Sequence, residues 1–149
     1  LNNNINLFYP FNINKTCIPL IGKVDENGFS EEENKIVFEL NKILNSNILI
    51  SATCVRVPIE RCHGVSLRVE LDKDIDVEKT IEIISRNPFC KHREIPNAIE
   101  AKDNDYVYFG RVRKITKNTI SIYVIGDNLR RGAAGNACMI LKHFKNNWK

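Results

Sequence analysis

The spacing of apolar side chains along the chain switches repeatedly between a period near 3.6 and a period of two. Ser30 followed by Glu33 has the spacing of a reciprocal helix cap, and Ile36, Val37, Leu40, Ile43 and Leu44 then recur on one helical face, which predicts a helix running to about Asn45. Asn27-Gly28 just ahead predicts a turn. Upstream, Ile13 to Val24 is mostly extended in pattern, with Pro10 and Pro19 holding it to loop or edge geometry. Ile48 to Val57 predicts a strand that Pro58 ends. Alternation resumes after Gly64, with Val65, Leu67 and Val69 on one side and Ser66, Arg68 and Glu70 on the other. Asp76 can cap a second helix whose Val77, Ile81 and Ile84 face inward before Asn87-Pro88 stops it. Tyr106 to Val112 and Thr119 to Ile125, rich in aromatic and β-branched residues, predict a hairpin around Thr116 to Asn118. Asp127 or Asn128 then opens a last helix, in which Gly132-Ala133-Ala134-Gly135 offers a side-chain-poor face suited to close approach by another backbone.

Strand and helix in this mixed order imply an α+β fold, a mixed, mostly antiparallel sheet with helices on one face. At 149 residues, 43% apolar and 27% charged, the chain has about the length of one domain and can bury a core. The net charge of +4 is spread along the chain. Its densest basic group, Arg111, Arg113 and Lys114, has no aromatic ladder beside it, which argues against a nucleic-acid partner. No apolar run reaches the ~20 residues that span a bilayer and no signal-peptide pattern occurs, so the expectation is a soluble, cytoplasmic protein with no membrane partner. Five cysteines, at 17, 54, 62, 90 and 138, are odd in number and widely spaced, which suggests reduced thiols and no zinc site or other metal. The chain opens at Leu1 with no Met and reads as a fragment.

Cys54 to Gly64 brings an arginine and a histidine around a proline break between apolar stretches. The fork of Arg56 can bind a carboxylate or phosphate through two parallel hydrogen bonds, and His63 can exchange a proton near neutral pH. Spacing alone is also satisfied by a local ion pair of Arg56 with Glu60 and a loop histidine with an ordinary partner. Cys62 and His63 are immediate neighbours, whose side chains in extended chain point to opposite faces, so a Cys-His nucleophile pair is rejected. Glu32 and Lys35, three apart in the first turns of the capped helix, project from the same face; they read either as a surface ion pair or as a contact for a zwitterion or phosphate at the positive helix end. Neither Gly-x-Gly-x-x-Gly nor a P-loop occurs.

Taken in order, Ser30-Glu31-Glu32-Glu33-Asn34-Lys35, Ser51-Ala52-Thr53-Cys54-Val55-Arg56-Val57-Pro58, Arg61-Cys62-His63, Phe109-Gly110-Arg111-Val112-Arg113-Lys114 and Asp127-Asn128-Leu129-Arg130-Arg131-Gly132-Ala133-Ala134-Gly135-Asn136-Ala137 resemble the C-terminal half of aspartate-semialdehyde dehydrogenases, from about Pro10 to Leu141. The resemblance implies a fold like the C-terminal domain of glyceraldehyde-3-phosphate-dehydrogenase-type enzymes. It also implies NADPH-dependent reduction of aspartyl 4-phosphate to aspartate 4-semialdehyde with release of phosphate, on the route to lysine, methionine and threonine. Arg56 matches the arginine that clamps the substrate carboxylate and His63 the general acid/base. Glu32 matches the residue near the substrate amino group, Lys35 the phosphate-binding lysine and Asn128 an amide contact to the nicotinamide end of NADP. In that family a cysteine thiolate attacks the acyl phosphate and the thioester accepts hydride; that cysteine and the glycine-rich loop belong to an N-terminal half not present here, so this chain alone should be inactive.

The same resemblance implies a homodimer and places a boundary near Asp127. Residues 1–126 would form the dimerisation and substrate domain, and 127–149 a helix that packs on the missing nucleotide-binding domain and leaves Gly132, Ala133 and Ala134 exposed. Arg61 departs from one common family version of the loop, which leaves the subtype open. The alternatives are a non-catalytic dimerisation or metabolite-binding module and a related reductase of another acyl phosphate or acyl thioester.

Overall fold

The computed structural model describes Tyr9 and residues 11–147, so Pro10 and the apolar residues before Tyr9 lie outside the described residues. The chain divides into two compact units, Leu1–Pro58 and Ile59–Lys149.

The first unit is built around helix α1, Glu31–Leu44. Its start is fixed locally: the Glu33 backbone N–H donates to Ser30 Oγ, and the Ser30 N–H donates to the Glu33 carboxylate, the reciprocal box expected from the sequence. Its end is fixed by Asn45, which takes the left-handed conformation at φ 46° and whose N–H bonds to helix carbonyls. The Asn27-Gly28 turn is present, with Gly28 at φ +87° and Asp25 Oδ1 accepting from the N–H groups of Asn27 and Phe29. The apolar stripe of α1 is not a core face in this chain. No residue of the helix is buried, and Phe38 and Ile43 are 66% and 76% exposed.

The expected strand Ile48 to Val57 is corrected here. The segment is extended, but a strand needs a ladder partner, and among the described residues only Arg56 pairs, exchanging both backbone hydrogen bonds with Ile18 at 2.8 and 2.9 Å. Ile13 to Val24 is likewise mostly irregular, holding a turn at Asn12 to Lys15 and single bridges at Ile18 and Val24.

The second unit is a four-stranded sheet in the order β1-β4-β3-β2, with β1 His63–Glu70, β2 Cys90–His92, β3 Val107–Lys114 and β4 Thr119–Gly126. The β1-β4 and β3-β4 pairs are antiparallel and β2-β3 parallel, the mixed, mostly antiparallel sheet of the expected class. β1 starts at His63, two residues earlier than the alternation suggested, because His63 pairs with Gly126. Helix α2, Val77–Ser85, is capped by Asp76, whose side chain accepts from the Lys79 N–H. Its Ile81 and Ile84 pack against Ile75, Phe109, Ile120 and Ile122 on one face of the sheet. Full burial of each such side chain stabilises by about 1.5–3 kcal/mol, so this cluster is the main hydrophobic anchor of the unit.

A one-turn helix α3, Ala98–Ala101, packs Ala101 with Cys62, Tyr108 and Ile125 on the opposite face. The parity follows from register, since Phe109 opposes Val124 while Tyr108 opposes Ile125. After β4 the chain runs through a π-helical turn, Arg130–Ala134, into helix α4, Gly135–Asn147, neither of which buries a residue. Gly135 is required at that junction, because a Cβ there would lie 2.3 Å from the Arg130 carbonyl oxygen.

Candidate functional site

In the first unit, the first turn of α1 presents Glu32 and Lys35. The Lys35 ammonium stands 3.5 Å from the Glu32 carboxylate, and both are half exposed. An ion pair this wet contributes a few tenths of a kcal/mol at most and exchanges readily with water or a ligand. Glu33, between them, is occupied differently: besides the cap, its Oε1 accepts from the Cys54 N–H at 2.9 Å, tying α1 to the segment that carries Arg56. The Ser30 and Cys54 N–H bonds hold the Glu33 carboxyl below its ordinary range despite some desolvation. Two residues after Cys54, Arg56 is pinned through its backbone to Ile18, and its guanidinium lies over the Tyr9 ring with 5.0 Å to the centroid. The local partner that spacing offered Arg56, Glu60, is taken by Lys102 at 2.8 Å.

In the second unit, His63 opens β1 and is exposed. Gly64 beside it allows the Tyr123 hydroxyl to lie across the strand, since a Cβ at 64 would meet that oxygen at 2.1 Å. Cys62, immediately before, is buried, and its Sγ lies 3.6 Å from the Ala98 carbonyl. Burial pushes its thiol pKa up, with Asp127 adding to the effect, so Cys62 is an inert core thiol, as is Cys54 for the same first reason. The backbone of Cys62 sits at φ +88°, a conformation that costs a non-glycine residue on the order of 1–3 kcal/mol and persists only where its surroundings over-determine it.

Those surroundings come from the end of β4. Asn128 Oδ1 accepts from the Cys62 N–H at 2.9 Å, which leaves its NH2 to donate elsewhere. Asp127, fully buried, accepts from the N–H groups of Leu129, Arg130 and Asp103 at 2.8, 3.0 and 2.7 Å, and takes the Arg61 guanidinium as a fork at 3.0 and 2.6 Å. The remaining arm of Arg61 reaches Asp103 at 2.9 Å. Burial alone would raise the Asp127 pKa, but these donors outweigh it and hold the carboxyl down at about 2.

The structure thus brings Glu32 and Lys35 into contact on α1 and Asn128 into contact with the backbone next to His63. Sequence reasoning missed the Asp127-Arg61-Asp103 cluster. Its only trace in the sequence is Asp-Asn directly after an apolar strand, which the local pattern offers as a helix cap and the family resemblance as a cofactor contact at Asn128. Two surface depressions, one along α1 at Val37, Phe38 and Asn41 and one at Arg130, Arg131 and Met139, contain none of the five candidate residues. Among the described residues no cluster of His, Cys, Asp or Glu is arranged for a metal ion, and no helix is long and apolar enough to cross a membrane.

The family described as "Semialdehyde dehydrogenase, dimerisation domain" matches residues 4–131. The chain belongs to this family. It is 37% identical over 147 residues to an aspartate-semialdehyde dehydrogenase of Helicobacter pylori, covering 93% of the chain and 42% of that protein. It is 36% identical over 141 residues to one of Aquifex aeolicus, covering 89% and 42%. The chain therefore spans less than half the length of these curated relatives. Among solved structures, aspartate semialdehyde dehydrogenase II of Vibrio cholerae complexed with ASA superposes with a TM-score of 0.89 at 32% identity, over 95% of this chain and 44% of that one. The aspartate semialdehyde dehydrogenase with NADP from Candida albicans shares the fold at a TM-score of 0.67 and 24% identity, over 89% and 45%. The semialdehyde dehydrogenase dimerisation domain accounts for nearly all of this chain, including the segments that carry Glu32, Lys35, Arg56 and His63.

Proposed function

We propose that this chain is the substrate-binding and dimerisation part of an aspartate-semialdehyde dehydrogenase that reduces aspartyl 4-phosphate to aspartate 4-semialdehyde and phosphate. The observation that carries this reading is the joint presence of Glu32, Lys35, Arg56 and His63, each on an accessible surface, in a chain of this family.

Each group has chemistry suited to its part. Arg56, whose backbone is fixed by Ile18, offers its guanidinium fork to the substrate α-carboxylate. Lys35, released from its weak pair with Glu32, neutralises the phosphate, and the freed Glu32 carboxylate receives the substrate ammonium. His63, at the mouth of β1, gives and takes the proton at the reacting carbonyl oxygen. NADPH would supply the hydride when bound. This chain offers it one group: the Asn128 amide, whose oxygen is held by Cys62 and whose NH2 can donate to a carboxamide oxygen. The nucleophilic cysteine and the rest of the cofactor pocket belong to a nucleotide-binding domain outside this chain, and residues 127–149 supply the helix that packs on it. Gly132, Ala133 and Ala134 are exposed and Phe144 is 56% exposed, as that packing requires. The protein acts as a homodimer.

The test is NADP- and phosphate-dependent oxidation of aspartate semialdehyde by the full-length reading frame, beside Arg56→Ala and His63→Asn. The expected result is activity in the parent and loss of roughly 100-fold or more in each folded variant. A folded, inactive parent would favour a non-catalytic module, and activity on another acyl phosphate or thioester would move the substrate class.

A further inference from the structure

Among the described residues, four non-glycine residues have positive φ, and two of them, Cys62 and Asp103, are tethered to the same dipeptide. The Cys62 N–H, at φ +88°, donates to Asn128 Oδ1, and the Asp103 N–H, at φ +63°, donates to Asp127 Oδ2. Arg61, one residue before the strained cysteine, spans both acids through Asp127 and Asp103. The Cys62 thiol closes the arrangement on the Ala98 carbonyl. Two of these bonds fall on Cys62 itself, the residue before His63, and others tie its neighbour Arg61 to the same dipeptide; His63 in turn opposes Gly126, the residue before Asp127.

We infer that Asp127, Asn128 and Arg61 are positioning residues, which hold Cys62 in its left-handed conformation and so fix where the His63 imidazole enters the site. Strain kept in place by several independent bonds clusters at functional sites, and here its one immediate beneficiary is the exposed histidine. The inference rests on the reading of His63 as the acid/base group, and it changes the part assigned to Asn128. The amide oxygen works on the protein, and at most the NH2 faces a cofactor.

Asn128→Asp keeps an acceptor for the Cys62 N–H but loses the NH2, whereas Asn128→Ala loses both. In the full-length protein, Asn128→Ala should lower kcat for semialdehyde oxidation roughly 10- to 100-fold at saturating NADP, as small misplacements of a catalytic group do, over and above any rise in the KM for NADP from loss of the NH2. Asn128→Asp, which keeps the acceptor for the Cys62 N–H, should restore kcat but not the KM for NADP. A rise of about tenfold or more in the KM for NADP in both variants with kcat intact would overturn the inference, as would no change at all. Should Asn128→Ala fail to fold, Arg61→Lys, which keeps the charge but not the fork, carries the same expectation for kcat. A crystal structure of the alanine variant separates this inference from the function on which it rests. If the parent proves inactive the enzymatic reading fails, but Cys62 leaving positive φ with His63 displaced still supports the clamp, and an unmoved loop refutes it.

Discussion

The first turn of α1 and the junction of β1 with β4 both gather charged side chains, and they do so under opposite conditions. Glu32 and Lys35 meet in water, three residues apart, with nothing else depending on their contact. Arg61 and Asp127 meet across 66 residues of chain, with the carboxylate fully buried and three backbone N–H groups bound to it. The first pair is cheap to open and therefore free to receive a ligand. The second is costly to open, because each partner would be left desolvated, and it therefore serves to hold the backbone in place. A charged cluster thus reveals its role less by its charges than by how many buried groups would be stranded if it were broken.

The contrast can be broken in four ways, from the largest effect down. Asp127→Ala strands three N–H groups, leaves Arg61 with Asp103 as its remaining acid, and should destabilise the second unit by roughly 3 kcal/mol or more, measured by urea unfolding. Acid should expose the same residue. Its carboxyl titrates near 2 in the folded chain against an ordinary value of 3.8, so the stabilisation is complete above about pH 4 and lost as pH falls through the folded value. The drop in unfolding free energy between pH 5 and pH 2 should therefore be smaller in Asp127→Asn than in the parent. Ser30→Ala removes half of the capping box of α1 and should cost about 1 kcal/mol, seen as a lower thermal midpoint of the first unit. Lys35→Ala should shift stability by less than about 0.5 kcal/mol while raising the KM for phosphate in the full-length enzyme, and a large loss of stability there would erase the distinction.

What the sequence made legible follows the same division. The cap at Ser30, the end of α1 near Asn45, the Asp76 cap and the β3-β4 hairpin are decided by residues within a few positions of one another, and periodicity and capping chemistry are enough to find them. Strand Ile48 to Val57 was over-read because propensity speaks for extended backbone but says nothing about a ladder partner. β2 and α3 are too short for a period to register, at three and four residues. Arg56, His63, Glu32 and Lys35 were singled out by their chemistry, and these four and Asn128 by a family resemblance, whereas the clamp around Cys62 was singled out by neither. A residue's φ and a bond between positions 62 and 128 are properties of the folded chain, for which Asp127-Asn128 after an apolar strand is only a faint cue.

The central claim is that Glu32, Lys35, Arg56 and His63 do chemistry rather than hold the fold, and Arg56→Lys tests it most directly. Lysine keeps the charge and most of the stem but loses the fork that would clamp a carboxylate. Steady-state kinetics of full-length Arg56→Lys with aspartate semialdehyde should show kcat/KM reduced by about 100-fold, at an unfolding midpoint equal to that of the parent. An unchanged kcat/KM, or a loss that merely follows a fall in stability, would contradict the account.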